Sequence, residues 1–313
     1  MRALITGATG FLGSRLVGAL RARGWTLVCL VRRPVWCADE AIECVRGDLE
    51  REDVGKTELA AVAPVDVVFH LAAKMPDPRV ADAGAYVRTN GLATLRLLDL
   101  AWRLSAQRFV YASSISVIGV PDRVPVTEDQ APGPTNPYAL GKLCGEQACE
   151  LARRTQGRRV TSLRITSLYG VGMPAGTVLP AFVARALASE DLAWYGSGER
   201  TQDFVHVDDV LQACIRAAES DESGVYNIGG GCPVRMSDLA RMIVALVPSS
   251  RSRAVPDGRP DPQEGIRWVV DIGRARRELG YDPQRSLAEG VREYVAAVRD
   301  GAAVRPWWGS PCE

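Results

Sequence analysis

Histidine is nearly absent from this chain: its 313 residues contain two, His70 and His206. Eight cysteines occur, Cys29, Cys37, Cys44, Cys144, Cys149, Cys214, Cys232 and Cys312, and none forms a C-x-x-C pair. Metal-ligand spacing is therefore missing, and no metal is expected. An excess of charge of either sign is missing too. Lys and Arg number 38 against 37 Asp and Glu, a formal net charge of +1. That balance gives no electrostatic case for nucleic acid or a membrane surface as partner. No apolar run approaches the length of a bilayer span. The N-terminus enters an apolar run directly, without the basic-apolar-small layout of a secretory signal. Internal repeats and low-complexity segments are absent as well. These absences predict a soluble, cytoplasmic protein. Most of its cysteines should then be buried free thiols, because Cys packs as a small hydrophobe.

What is present is an ordinary globular balance, 47% hydrophobic and 24% charged, long enough for one or two domains. The most informative stretch opens the chain. Ala3 to Ile5 is a short apolar run, and it breaks at once into glycines spaced G-x-x-G-x-x-G at Gly7, Gly10 and Gly13. Phe11, Leu12, Leu16, Val17 and Leu20 then recur at helical spacing. Strand, glycine turn and helix in that order form a phosphate-binding device. Gly7 lets the chain turn tightly, Gly10 lets backbone approach a pyrophosphate, and Gly13 lets the helix lie close on the sheet. The helix N-terminus adds free N–H groups and a partial positive charge. The device predicts dinucleotide binding along Gly7, Thr9, Gly10, Phe11 and Leu12.

Apolar runs and helical patterns alternate onward. Strands are expected at Leu27 to Val31, Ile42 to Val45, Val65 to Leu71, Phe109 to Ser113 and Val160 to Ile165. Helices are expected over Ala81 to Leu104 and Pro137 to Arg153, the second capped by Asn136 or Thr135. This alternation predicts an α/β fold, a doubly wound parallel sheet of Rossmann type. After Tyr169-Gly170, Pro and Gly become frequent and helices shorten, although Val225 to Ile228 reads as a further strand. The expected division is a dinucleotide-binding domain over 1–170, with returning segments near 202–230, and a smaller, mixed, mainly substrate-binding region over 171–313. Trp307 and Trp308, in the tail, are read as packing or contact residues.

A second constellation carries chemistry. Tyr138 and Lys142, at i and i+4, share one helix face. A free tyrosine has a pKa of about 10, and a neighbouring ammonium stabilises the phenolate and lowers that value. Ser114 follows the expected fifth strand, at the carboxyl edge where open α/β sheets bind ligands. Its hydroxyl is placed to hold a substrate oxygen while Tyr138 gives or takes the proton. His70 ends a strand, and His206 sits in Val205-His206-Val207; both are read as structural.

Taken together, these features resemble the extended short-chain dehydrogenase/reductase family, the nucleotide-sugar epimerases, dehydratases and reductases. The resemblance spans nearly the whole chain. It rests on Thr6 to Gly13, Gly47-Asp48-Leu49, Phe69 to Ala73, Asn90 with Ala93-Thr94, Ser113-Ser114, Tyr138 with Lys142, Leu168-Tyr169-Gly170, Asp203 to Val210, and Tyr226 to Gly229. It implies that Asp48 and Leu49 border the adenine, that Leu71, Ala72 and Ala73 line the cofactor cleft, and that Lys142 also bonds the nicotinamide ribose. It also implies a homodimer paired through the two long helices. Candidate substrate residues are Lys74, Ser114, Ser116, Ser167, Arg200 and Arg259.

Three departures narrow the choice within the family. NAD-using members carry an acidic residue where this chain has Val31, followed by Arg32 and Arg33. Two guanidiniums suit a 2′-phosphate, so NADP(H) is favoured over NAD(H). Dehydratases and decarboxylases place acids just after the position of Ser114, where Ile115 and Ser116 stand here; dehydration and decarboxylation are set aside. The UDP-sugar epimerases carry an Asn at the position of Ser167 and an Arg at that of Gln202, and Arg200 and Arg259 are the remaining candidates for gripping a pyrophosphate. The reading reached is an NADPH-dependent reductase of a nucleotide-linked 4-keto (deoxy)sugar, with an NAD-dependent nucleotide-sugar 4-epimerase as the alternative. A reductase of a small natural-product ketone is a third candidate. A catalytically silent dinucleotide-binding regulator is a fourth, disfavoured by the intact Ser114, Tyr138 and Lys142.

Overall fold

The computed structural model describes residues 1–35, 37–51, 62, 64–77 and 79–301. Trp307, Trp308 and Cys312 lie outside them. In chain order the first half comprises β1 (Arg2–Thr6), α1 (Phe11–Ala22), β2 (Thr26–Val31), β3 (Ile42–Arg46), β4 (Val67–His70), α2 (Gly84–Val87), α3 (Ala93–Arg103), β5 (Arg108–Ser114), α4 (Pro137–Gln156) and β6 (Arg159–Ile165). There follow β7 (Ser167–Tyr169), α5 (Val178–Leu187), β8 (Leu192–Trp194), β9 (Thr201–His206), α6 (Val207–Glu219), β10 (Gly224–Ile228), β11 (Pro233–Arg235), α7 (Met236–Leu246), β12 (Ala254–Pro256) and α8 (Leu287–Arg299).

Seven strands form one sheet in the order β10-β6-β5-β4-β1-β2-β3, parallel at every pairing. The chain runs outward from β1 to β3, returns to β4 on the other side of β1, and runs outward again. That reversal opens a crevice at the carboxyl ends of β1 and β4. Both faces are covered, which is why the strands read as continuous apolar runs. Ala3, Ile5, Leu27 and Cys29 pack with α1 and α6 on one face. Leu4, Val28 and Leu30, the alternate positions, pack with α3 and the Phe109 and Tyr111 side of β5 on the other. A separate core joins Phe182, Trp194, Phe204, Ile243 and Tyr294 from the second half. There β7, β9 and β11 make a three-stranded sheet, and β8 pairs with β12.

Two expected elements differ in extent. The run Val65 to Leu71 contributes only Val67–His70 as strand, because the Val65 amide turns away to bond Leu104 O at 3.0 Å. The single helix expected over 81–104 begins at Gly84 and passes through a π-helical turn, Arg88–Leu92, before α3. At that turn the Asn90 side chain folds inward onto backbone, accepting from Lys74 N at 2.8 Å and donating to Lys74 O at 3.0 Å. The Asn90 carbonyl accepts from Thr94 Oγ1 at 2.8 Å and from the Tyr111 hydroxyl at 3.3 Å. Helix α4 lies close on this segment, with the Tyr111 hydroxyl also against Gly145. A Cβ on Gly141 would stand 2.5 Å from Tyr86 O, and one on Gly145 2.5 Å from Asn90 O.

No described helix is long and apolar enough to cross a membrane. Among the described cysteines none is disulfide-bonded; Cys29, Cys149 and Cys214 are buried and Cys232 is exposed. Burial pushes the Cys29, Cys149 and Cys214 thiols upward, Cys214 to about 12. Among the described residues no group of three His, Cys, Asp or Glu side chains is placed to hold a metal.

Candidate active site

The glycine turn leaves β1 at Thr6. Gly7 has φ +71°, and a Cβ there would stand 2.7 Å from the Ala72 amide nitrogen. Only glycine allows the chain leaving β4 to pass so close. Gly10 is the extended N-cap of α1 with no capping side chain, and the first turn of α1 carries no acid. A Cβ on Gly13 would lie 2.0 Å from Gly7 O, so the helix rests on the turn itself. The leading N–H groups of α1 thus keep no side-chain partner, and the open face of Gly10 fits a dinucleotide pyrophosphate. Thr9 is exposed, Phe11 half-buried and Leu12 buried.

The other expected cofactor residues lie along the same carboxyl edge. Arg32 and Arg33 are exposed directly after β2, beyond the buried Val31. Asp48 and Leu49 follow β3, Leu49 buried and Asp48 accepting from the Glu50 amide at 3.0 Å. Leu71, Ala72, Ala73 and Lys74 form a half-buried strip after β4, with Lys74 Nζ 3.8 Å from Glu50 Oε1.

Beneath that strip runs a hydrogen-bond chain that sequence reading missed. Thr6 Oγ1 lies 2.7 Å from His70 Nδ1, and His70 Nε2 lies 3.0 Å from Thr94 Oγ1. Thr94 donates its only proton to Asn90 O, so toward the ring it must accept. That fixes neutral His70 with its proton on Nε2, and Thr6 donates to Nδ1 while accepting from the Ala72 amide at 3.2 Å. Burial, aided by the charge of Lys142, holds His70 down to about 3. Asn90 and Thr94 stood in the sequence without a role; only the π-turn brings them here.

The candidate catalytic residues meet where β5 ends. Ser114 is the last residue of β5 rather than the residue beyond it. Its Oγ lies 2.9 Å from Ser116 Oγ and accepts from the Ser116 amide at 3.2 Å. Tyr138 and Lys142 come from the first two turns of α4, whose start is set by the Asn136 cap (Ala139 N to Oδ1, 2.9 Å) and Pro137. Lys142 is buried; its Nζ donates to Ala112 O at 2.6 Å and lies 4.9 Å from the Tyr111 ring centre. Burial pushes Lys142 down to about 7.

One expectation is corrected by these surroundings. A lysine ammonium was expected to lower the Tyr138 phenol. Instead burial raises it, and the neighbouring Ser114 hydroxyl opposes that rise. Desolvation outweighs the Ser114 hydrogen bond, and Lys142 directs its own hydrogen bond to Ala112 O.

A buried ion pair braces this group. Arg164 of β6 meets Glu146, one turn beyond Lys142, and Ser113 Oγ donates to the same carboxylate at 2.7 Å. The i+4 step from Lys142 was visible in sequence, its partners were not.

On the substrate side, Ser167 and Gln202 hydrogen-bond to each other, and both line a small cavity with Ile115, the residue after Ser114. Arg200 reaches Gln202 Oε1 at 3.2 Å and Asp261 at 2.8 Å. Arg259 is not brought to this group. It is exposed, paired with Asp257 and stacked 4.7 Å from the Tyr195 ring centre. Neither arginine therefore stands free for a phosphate. His206 is buried and caps α6, accepting from the Asp208 amide at 3.3 Å, a structural position.

Residues 3–229 match the model of the NAD dependent epimerase/dehydratase family. The chain is similar to the UDP-glucose 4-epimerase of Mycolicibacterium smegmatis, 32% identical over 315 residues, covering 96% of this chain and 99% of that one. Its structure is similar to UDP-glucose 4-epimerase with UDP-glucose from Thermotoga maritima, with TM-score 0.86, 27% identity, and coverage of 96% of this chain and 99% of that one. It is also similar to dTDP-glucose 4,6-dehydratase from Streptomyces venezuelae with NAD bound, with TM-score 0.83, 28% identity, and coverage of 96% and 97%.

Proposed function

The chain belongs to the NAD dependent epimerase/dehydratase family, and from that premise we propose that it is a nucleotide-sugar 4-epimerase working with NAD. This replaces the reductase reading as the leading one: the relatives named above are epimerases and a dehydratase, and the one with a named cofactor holds NAD. One observation carries the choice between epimerase and dehydratase. Ser114, Tyr138 and Lys142 gather at the end of β5, while the next two positions, Ile115 and Ser116, bring no carboxylate. Elimination of water needs an acid and a base beyond one phenol. Oxidation and re-reduction at one carbon, with a nicotinamide as hydride acceptor and donor, need no acid or base beyond that phenol.

The cofactor residues take these roles: Gly7, Thr9, Gly10, Phe11 and Leu12 around the pyrophosphate, Asp48 and Leu49 at the adenine, Leu71 to Ala73 along the cleft. A bound nicotinamide supplies the hydride acceptor and donor. Tyr138, acting as the phenolate, would take the proton of the sugar 4-hydroxyl as C4 gives up hydride, and return it when hydride comes back to the opposite face. Ser114 holds the same oxygen, freed from Ser116 by substrate. Lys142, with a proton affinity near neutrality, serves the phenol and the ribose. Leu92, Leu95, Leu140 and Leu151 stand exposed on the α3 and α4 side, which supports pairing of two copies there.

The test is incubation with UDP-glucose, UDP-galactose and their dTDP counterparts, following sugar configuration and reduced cofactor together. Interconversion without net change in cofactor is expected. A second reading, an NADPH-dependent reductase of a nucleotide-linked 4-keto sugar, has its own support: Val31 offers no carboxylate, and Arg32 and Arg33 stand exposed beside it. NADPH oxidation on such a ketone, with NADPH bound more tightly than NADH, would make that second reading the function.

A further inference from the structure

Both arginines available to a substrate phosphate are matched by aspartates from a single short loop. Arg200 Nε lies 2.8 Å from Asp261 Oδ2, with the two side chains only 16% and 6% exposed. Arg259 pairs with Asp257, two residues earlier. The loop is tied to the strand beside it: the Asp257 amide bonds Trp194 O at 2.8 Å, and the Gly196 amide bonds Arg259 O at 2.8 Å.

Arg200 is not an isolated surface pair. Its other arm donates to Gln202 Oε1 at 3.2 Å, and the Gln202 amide nitrogen donates to Ser167 Oγ. Arg200 and Gln202 are two residues apart along an extended stretch, so their side chains share a face. Asp261, Arg200, Gln202 and Ser167 thus form one continuous relay. Its far end lines the cavity that reaches Ile115, next to Ser114.

A half-buried guanidinium needs an anionic partner, because removing that partner leaves an uncompensated charge. A carboxylate and a phosphate satisfy the same planar fork of donors. In this chain Nε of that fork already holds Asp261 and Nη1 holds Gln202, and the Asp261–Arg200 pair presents no net charge to an incoming ligand. A diphosphate that takes the Nε edge must exchange with Asp261, and its affinity is then reduced by the strength of the pair it displaces.

Resting on the nucleotide-sugar reading, we propose that Asp261 is a specificity-determining residue: it competes with the substrate diphosphate for Arg200, and the exchange passes through Gln202 and Ser167 toward the reacting end of the site.

The experiment is calorimetric titration of UDP and dTDP, with uridine and thymidine as phosphate-free controls, into the NAD-saturated protein. Wild type, Asp261→Asn, Asp261→Ser and Arg200→Ala are compared, each with its thermal midpoint. Releasing one charge-assisted hydrogen bond predicts about tenfold tighter UDP and dTDP binding in the Asp261 variants. The nucleosides should bind all four proteins alike, and Arg200→Ala should bind the diphosphates more weakly than wild type. Diphosphate affinity in either folded Asp261 variant equal to or below that of wild type overturns the exchange while leaving the nucleotide reading intact. Failure of any protein to bind UDP or dTDP overturns both. A wild-type crystal structure with UDP gives a check that needs no variant. Arg200 should lie on phosphate oxygens and away from Asp261, and an unbroken Arg200–Asp261 pair beside a bound diphosphate refutes the proposal.

Discussion

Glu146 and Arg164 meet at 2.7 Å with both side chains almost wholly excluded from solvent, 2% and 4% exposed. They join α4, which carries Tyr138 and Lys142, to β6. Ser113 ties the same carboxylate to β5 beside Ser114, and Arg164 Nη1 continues to Glu128 O at 3.2 Å. Removing one partner strands the other charge. Glu146→Gln should therefore lower unfolding free energy by about 3–5 kcal/mol. Replacing both partners by apolar residues of similar volume should recover much of the loss. Denaturant unfolding of the two single variants and the double variant decides it, and wild-type stability in Glu146→Gln would show that the pair braces nothing.

Tyr138→Phe should reduce turnover by roughly 10²–10⁴-fold, the usual contribution of a positioned acid/base. NAD affinity should change little. Lys142→Met should lower both, because its ammonium serves the phenol and the ribose. Steady-state rates on UDP-hexoses, paired with NAD titrations, separate the two patterns. Normal turnover in Tyr138→Phe would remove the phenol from the mechanism.

The first two glycines of the opening motif should fail differently. At Gly7 a Cβ meets Ala72 N at 2.7 Å and the backbone has φ +71°, so Gly7→Ala should cost stability, about 1–3 kcal/mol of strain. At Gly10 a Cβ would approach Gly7 O at 3.2 Å, and φ is −82°. Gly10→Ala should keep nearly the wild-type thermal midpoint yet weaken NAD binding, since its Cβ occupies the approach of the pyrophosphate. Melting curves and NAD titrations on both variants test the contrast, which a shared loss of stability would contradict.

His70 gives a pH dependence of defined sign. Burial holds its folded-state pKa down to about 3, well below the ordinary 6.5 of a histidine. Between those values the unfolded chain binds the extra proton, so stability rises with pH there. Acidifying from about 6.5 toward 3 should progressively destabilise the protein through this group. His70→Asn carries no titrating ring, and the difference between its stability and that of wild type should shrink or reverse as pH falls across that window. Parallel pH–stability curves would assign the acid sensitivity to other groups.

Much of the fold could be read before any coordinates because its signals are local. The strand-glycine-helix opening, the uniformly apolar strands and the Asn136-Pro137 start of α4 each lie within a few consecutive residues. Tyr138 and Lys142 share a helix face by spacing alone. What escaped were properties that depend on distant approach. Asp261 is 61 residues from the arginine it holds, and nothing near Arg200 announces it. Glu146 lies one turn past Lys142, but Arg164 comes from the next strand. The rise of the Tyr138 phenol was misjudged because burial is a property of the assembled cleft, whereas its lysine neighbour is visible in the sequence. The π-turn at Arg88–Leu92 likewise follows from contacts of Asn90 that only folding creates.

Helix α4 rests on the Tyr86 backbone at Gly141, and on the Asn90 carbonyl and the buried Tyr111 hydroxyl at Gly145, so the joint has little slack. A bulkier residue at Gly141 would press on backbone rather than on a flexible side chain, and α4, which carries Tyr138, would have to shift. This bank of the cleft is consequently the rigid one, where small changes in shape translate into lost chemistry. On the nucleotide-sugar reading proposed above, room for altering what the protein accepts would lie where Ser167, Gln202 and the loop bearing Asp261 meet through exchangeable polar side chains. Divergence in substrate, natural or engineered, is to be sought there.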